Sequence, residues 1–265
     1  MIRIASLFAA VAFALPQVAT AQTAVEPTVM SSQGAGPALG FTLRGGVATA
    51  PEYFGAPDSE ASPDLGFELN YLRFGNFTFG NPDPLFRPQG FGLSGSFRYI
   101  GERDPADSPE LTGLTQIDPA IELGVGAQYA IGNYQFFGAV RQGFGGHDGV
   151  VGELGADAFI YPTDDLTISI GPRALFGDSD YTQTYFGVTD AEADASAFTP
   201  FTPSGGLVSV GVELGAGLRL SDRWGIEGAI SYDKLQDDAA RSPITVDDES
   251  ISARIGVTRR FTLGF

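Results

Sequence analysis

Residues 118–176 read DPAIELGVGAQYAIGNYQFFGAVRQGFGGHDGVVGELGADAFIYPTDDLTISIGPRALF. Ile121, Leu123, Val125, Ala127 and Tyr129 alternate with Glu122, Gly124, Gly126 and Gln128, which is the period of a strand. After Gly132-Asn133 the alternation resumes with Tyr134, Phe136, Gly138 and Val140 against Gln135, Phe137, Ala139 and Arg141. The segment from Gly143 to Gly149 interrupts it. A third run sets Leu154, Ala156, Ala158 and Ile160 against Glu153, Gly155 and Asp157, and a fourth sets Leu166, Ile168, Ile170 and Ala174 against Thr167, Ser169, Gly171 and Arg173. The apolar sides are continuous, whereas the opposite sides carry Glu122, Arg141, Glu153, Asp157 and Arg173 among glycines. A soluble sandwich would turn its aliphatics inward and its charges outward. The pattern therefore predicts an all-β, transmembrane, antiparallel up-and-down barrel with aliphatics toward lipid and charges toward a polar lumen.

The same reading extends outward in both directions. Phe41–Ala48 gives a first strand, residues 50–63 a loop, and Leu65, Phe67, Leu69 and Tyr71 the apolar face of a second strand that ends at the Gly75-Asn76 turn. Phe91–Tyr99, Val208–Arg219, Trp224–Asp233 and Ile251–Phe265 supply further strands. The section 77–89 is interrupted by Pro82, Pro84 and Pro88, which cannot donate to a ladder. The sum is ten strands, or twelve if the proline section provides a further pair. Connections alternate between short (75–76, 131–133, 162–165, 221–223) and long (50–63, 101–117, 143–149, 177–206, 236–248), the asymmetry of outer-membrane barrels. In the longest insertion, Thr189 and Glu192 have capping-box spacing and predict a short helix from about Asp190. Arg259 falls among the lipid-facing residues of the last strand, which places it at headgroup level.

Composition agrees with this class. The 265 residues include 36 glycines, 21 phenylalanines, 9 tyrosines and no cysteine, and no apolar run approaches the roughly 20 residues of a spanning helix. Arg3, an apolar run from Ile4 to Leu15 and Ala19-Thr20-Ala21 have the layout of a secretory signal peptide, with cleavage expected between Ala21 and Gln22. Residues 22–37 read as a flexible periplasmic leader and 38–265 as the barrel, ending on Phe265 as an assembly signal. The formal charge of −17 argues against nucleic acid as a partner. Its acids gather in four candidate loop groups, one containing Asp58, Glu60 and Asp64, and none has calcium-loop spacing.

Fourteen charged side chains are expected in the lumen: Arg44, Arg98, Arg141, Arg173, Arg219, Arg254 and Arg260 against Glu68, Glu122, Glu153, Asp157, Glu213, Glu227 and Asp233. Either they pair with one another and fill a narrow barrel, or they line a path for a small polar or cationic solute. His147-Asp148 is the only histidine–acid neighbourhood, and the surrounding glycines read as a tight loop rather than a catalytic pair. One histidine without cysteine leaves no zinc-type ligand set.

From about Gln116 onward the chain resembles the MipA/OmpV family of outer-membrane proteins. The likeness is carried by Gly113-Leu114 with Ile117-Asp118, by residues 141–149 including Gly145, Gly146, His147, Asp148 and Gly149, by Gly171-Pro172-Arg173, and above all by residues 180–189 with Tyr181, Tyr185, Phe186 and Gly187. The resemblance implies an outer-membrane barrel in contact with lipid, with no cofactor and no catalytic residues. For the named member it implies a scaffold joining a murein-cleaving lytic transglycosylase to a murein synthase; other relatives look like adhesins or are tied to uptake. The insertion at 177–206 could present Tyr181, Tyr185 and Phe186 as a binding surface, or pack them over the barrel mouth.

Overall fold

The computed structural model describes residues 36–81, 83, 87 and 89–264, and Gly36 onward forms one compact unit. The signal peptide, most of the leader and the terminal Phe265 lie outside the described residues. Eleven strands form a single antiparallel sheet that curls into a half-barrel: β1 (Ala38–Pro51), β2 (Ser59–Phe74), β3 (Phe77–Gly80), β4 (Gly90–Ile100), β5 (Ala120–Ile131), β6 (Tyr134–Gly145), β7 (Val150–Ile160), β8 (Leu166–Gly177), β9 (Gly206–Arg219), β10 (Trp224–Leu235) and β11 (Glu249–Gly264). Each strand pairs with its neighbour in sequence from β4 to β11, and β11 pairs with β1, which brings the two ends of the barrel segment together. The edges are β3 and β4. No pairing joins them among the described residues, and they run in the same direction, so the antiparallel alternation cannot be completed between these two strands. Among the described residues the proline section thus contributes one short strand in place of a pair, so the described count of eleven falls between the ten and the twelve expected.

Outward and inward faces are as the alternation predicts. Leu123 and Val212 are 51% and 45% exposed on the convex side, while Glu122 and Arg141 are 0% and 4% exposed on the concave side. Gly75 and Gly132 take φ of 58° each at the first position of two-residue turns, where the mirror-type hairpin turn needs a left-handed residue.

Three expectations need correction. The first loop is shorter than 50–63, because β1 and β2 stay paired through Ala50 with Glu60 and Pro51 with Ser59; Glu60 and Asp64 are strand residues. Proline at position 63 stopped the sequence reading, yet Pro63 sits opposite Val47 within the ladder. Tyr71 does not face outward with Leu69. A bulge lets Phe41 pair with Leu69 and Gly40 with Tyr71, which reverses the alternation and buries the Tyr71 ring. Finally, β6 runs on to Gly145, so only residues 146–149 form the hairpin loop there.

Among the described residues the long connections carry three short α-helices, α1 (Ser179–Phe186), α2 (Asp190–Ala195) and α3 (Asp237–Arg241), and one 3-10 turn, Pro109–Leu111. Helix α2 has the capping box, Glu192 N–H to Thr189 Oγ1 and Thr189 N–H to Glu192 Oε2. Helix α1 has no such sequence signature and is capped by Asp178, whose Oδ1 accepts from the Tyr181 N–H at 2.9 Å.

Candidate functional site: a capped, charge-lined lumen

Register brings the first cluster together. Arg98 in β4 lies directly opposite Glu122 in β5 and donates from Nη2 to Glu122 Oε1 at 2.6 Å. From β6, Arg141 donates from Nε to Glu122 Oε2 at 2.8 Å and from Nη1 to Glu153 Oε2 in β7 at 2.8 Å and to Ser96 Oγ at 3.1 Å. Four adjacent strands are therefore cross-linked by one chain of charges. An isolated carboxylate with no exposed surface would be costly; here two guanidinium groups compensate it.

His147 joins this cluster from the β6–β7 hairpin. Its ring lies against the Gly143 backbone, where a Cβ would come within 2.2 Å of Cε1, so glycine is required at 143 by close approach. The Gly149 N–H donates to His147 Nδ1 at 3.2 Å, which assigns the proton of the neutral ring to Nε2, and Nε2 stands 3.3 Å from Glu122 Oε1. Helix α1 closes the cluster from above, with the Tyr181 hydroxyl accepting from Arg98 Nη2 at 3.2 Å.

Two further groups lie elsewhere on the concave face. Arg173 donates from Nη2 to Asp157 Oδ1 at 2.9 Å and to Glu213 Oε1 at 3.2 Å, and Arg254 Nη1 reaches Glu213 Oε2 at 3.1 Å. The Gly-Pro-Arg sequence places Arg173 for this. Pro172 has no N–H, the β7–β8 ladder skips the rungs at Ala156 and Asp157, and the Ala156 carbonyl accepts instead from Arg173 Nη1 at 3.3 Å. In the third group Arg44 forms a bidentate pair with Asp64 at 2.7 and 3.1 Å and lies 3.8 Å from Glu227. Of the other residues named from sequence, Arg219 is held at the short-turn end by Asp165 and Asp222, away from the three groups, and Arg260 Nη2 donates to the Asn81 carbonyl. Glu68 and Asp233 have no cation within ion-pair distance among the described residues. Sequence reading missed Asp64, Ser96 and His147 as partners. Asp64 lies in phase with Glu68 on one strand face, a signal that the neighbouring proline obscured.

The long-loop end is filled. Tyr181, Tyr185, Phe186, Val151, Val208 and Ile117 form one buried cluster, with Phe54 packed against it; Tyr53, Leu111, Leu114, Val188 and Ile244 form a second. Hydrogen bonds tie the loops across it: Arg103 Nη1 to the Tyr185 carbonyl, Ser242 Oγ to the Phe186 carbonyl, and the Thr115 N–H to Glu192 Oε1. Burial pushes the Tyr53 and Tyr185 phenols well above their usual values and lowers the Arg103 guanidinium. Tyr181, Tyr185 and Phe186 are thus interior residues of a cap, which removes them as a surface patch. Among the family-motif residues, Gly146 lets the loop pass the Asp118 carbonyl, Gln142 bonds the Asp148 carbonyl, and the Gly187 N–H closes α1 on the Gln183 carbonyl. Toward the other end the lumen keeps an open cavity of about 270 Å³ lined by Ser94, Ser96, Gln128, Gln135, Phe137 and Glu153. No group of three or more His, Cys, Asp or Glu is placed to hold a metal ion among the described residues.

An up-and-down sheet with an apolar convex face, charges on the concave face and loops packed over one end defines a β-barrel-type membrane protein. The chain belongs to the MipA family: the family described as MltA-interacting protein MipA matches residues 43–261. No curated protein matches it. Similar solved structures include the COG4313 outer membrane channel of Pseudomonas putida F1, at 9% identity over 89% of this chain and 100% of that one (TM-score 0.44). OprB of Pseudomonas putida is similar at 11% identity over 85% and 94% (TM-score 0.42), and OprG of Pseudomonas aeruginosa at 13% over 86% and 96% (TM-score 0.29).

Proposed function

We propose that this chain is a non-enzymatic outer-membrane protein that serves murein assembly by holding periplasmic murein enzymes, a lytic transglycosylase first among them, at the short-turn face of its barrel. The observation that carries this reading is the filled long-loop end: a cap with its own apolar core stands over a lumen cross-linked by ion pairs, which suits an anchored platform better than a conduit. Family membership supplies the partner class, since its description names an interaction with MltA. Short turns leave little surface on the periplasmic side, so the leader at 22–37 supplies much of the docking. Purified full-length mature protein should retain a periplasmic lytic transglycosylase in a pull-down, and deletion of residues 22–37 should abolish retention. Failure of the intact protein to retain the enzyme would overturn the scaffold reading, and unchanged retention by the deletion would move docking to the turns.

The open cavity of about 270 Å³ favours a second reading, a narrow uptake channel for small polar or cationic solutes. Steady single-channel current from the intact protein in planar bilayers would favour it over the scaffold.

A further inference from the structure

Arg259 is an exposed cation on the wrong side of the wall. It shares the convex face with Val257 and Phe261, and its register partners are Leu43 in β1 and Trp224 in β10, both exposed outward. A guanidinium on the lipid face costs about 2–4 kcal/mol at the bilayer midplane and about 0–1 kcal/mol at the interface. The register settles which applies. Arg259 pairs with the first residue of β10, the last rung of a β10–β11 ladder that runs from Lys234–Glu249 to this point, and a span of about ten residues is what a tilted strand needs to cross the hydrocarbon. Arg259 therefore sits near the short-turn boundary of the apolar band, with only Phe261 and Leu263 beyond it, among the described residues, on the outward face of β11.

Its side chain is also held. The guanidinium carbon stands 4.9 Å from the ring centroid of Trp224 and 4.9 Å from that of Phe261. Both rings lie within cation–π range of the guanidinium, and among the described residues no hydrogen-bond acceptor is placed on its N–H groups. No carboxylate lies within ion-pair distance of Arg223, Arg259 or Arg260 among the described residues, and nearby Asp222 is paired with Arg219. This is a local excess of positive charge in a chain of formal charge −17.

We infer that Arg259, Trp224 and Phe261 form a binding site for the phosphate of one glycerophospholipid in the leaflet on the short-turn side. The planar donor edge fits a phosphodiester in bidentate fashion, and the flanking rings suit the level where headgroup meets acyl chain. The site is independent of the scaffold reading and of the lumen.

Native mass spectrometry of the intact protein, released from nanodiscs of phosphatidylglycerol, tests it. The wild type should retain one lipid that Arg259→Gln loses with about a tenfold fall in occupancy, the loss expected for one charge-assisted contact. Arg260→Gln, altered one residue away on the lumen face, should retain it. Equal occupancy in Arg259→Gln and wild type would overturn the site. The wild type supplies a second measurement that needs no variant: diacylglycerol with the same acyl chains, lacking phosphate, should not be retained, and equal retention would overturn the inference. Displacement of the lipid by millimolar inorganic phosphate would likewise overturn it, by showing a site for a free anion.

Discussion

The strand wall and the loop cap bury their residues by opposite rules. In the wall Val125 faces outward almost bare while Glu122, three residues away in the same strand, is sealed inside with two arginines. In the cap the order is conventional: Tyr181, Phe186, Leu111 and Ile244 are inside, and Asp180, Asp190 and Asp194 are in water. One chain uses both because its two regions meet different solvents. Hydrocarbon accepts aliphatics and leaves the interior free for charge; water demands a dry centre. Glu122 stands where the two rules meet, since it takes contacts from wall residues Arg98 and Arg141 and lies beside His147 beneath α1.

The largest expected effect follows at that junction. Glu122→Ala leaves the buried Arg141 and the half-buried Arg98 without their shared carboxylate, and removing one partner of a buried ion network costs about 3–5 kcal/mol. Urea unfolding of the refolded protein in micelles should show the loss, together with faster proteolysis of residues 177–206 as α1 loosens. Loss of stability with an undisturbed cap would show that wall and cap are separate units, and the comparison would become a boundary.

A smaller effect tests the wall alone. Val125→Arg sets a charge on the lipid face near mid-strand and should cost about 2–4 kcal/mol. Gln128→Arg, on the opposite face where the open cavity gives room, should cost less than about 1 kcal/mol. Heat-modifiable gel mobility reads both. Equal effects would contradict the assignment of faces.

How much could be read beforehand differs between the same two regions, for a physical reason. The wall is written in period two, so Ile121 to Tyr129 declare their faces locally and the register of β5 on β6 follows from a two-residue hairpin, whereas the Arg98–Glu122 rung is joined through a long connection and could be read only as a shared face. The cap is written in contacts across long separations. Tyr181 meets Arg98, Ser242 meets the Phe186 carbonyl and Thr115 meets Glu192, none of which has a local period. Only the Thr189–Glu192 box was legible there, because it is closed within one helical turn. Where the wall misled, a single residue broke the local rule: proline at 63 hid the end of β2 that carries Asp64, and the bulge beside Tyr71 turned its ring inward.

That legible box gives the smallest and most local test of the cap. Burial alone would raise the Glu192 carboxyl, but hydrogen bonds from the Thr189 and Thr115 backbone, with the Thr189 hydroxyl, hold it down to about 2. A folded value below the unfolded one means that the contribution is fully present above the usual glutamate range and is lost as the pH falls from there toward 2. Acidification through this window should therefore loosen α2 and the Thr115 loop, while the β-sheet ladder, which rests on backbone pairing, persists. Thr189→Ala removes the cap oxygen, should cost about 1 kcal/mol locally, and should shift the acid loosening to higher pH. Hydrogen exchange of the Glu192 and Thr115 amides between neutral pH and pH 2 measures both. An unshifted midpoint in Thr189→Ala would show that the Thr189 hydroxyl adds nothing and that the backbone N–H groups of residue 189 and Thr115 hold the carboxylate by themselves.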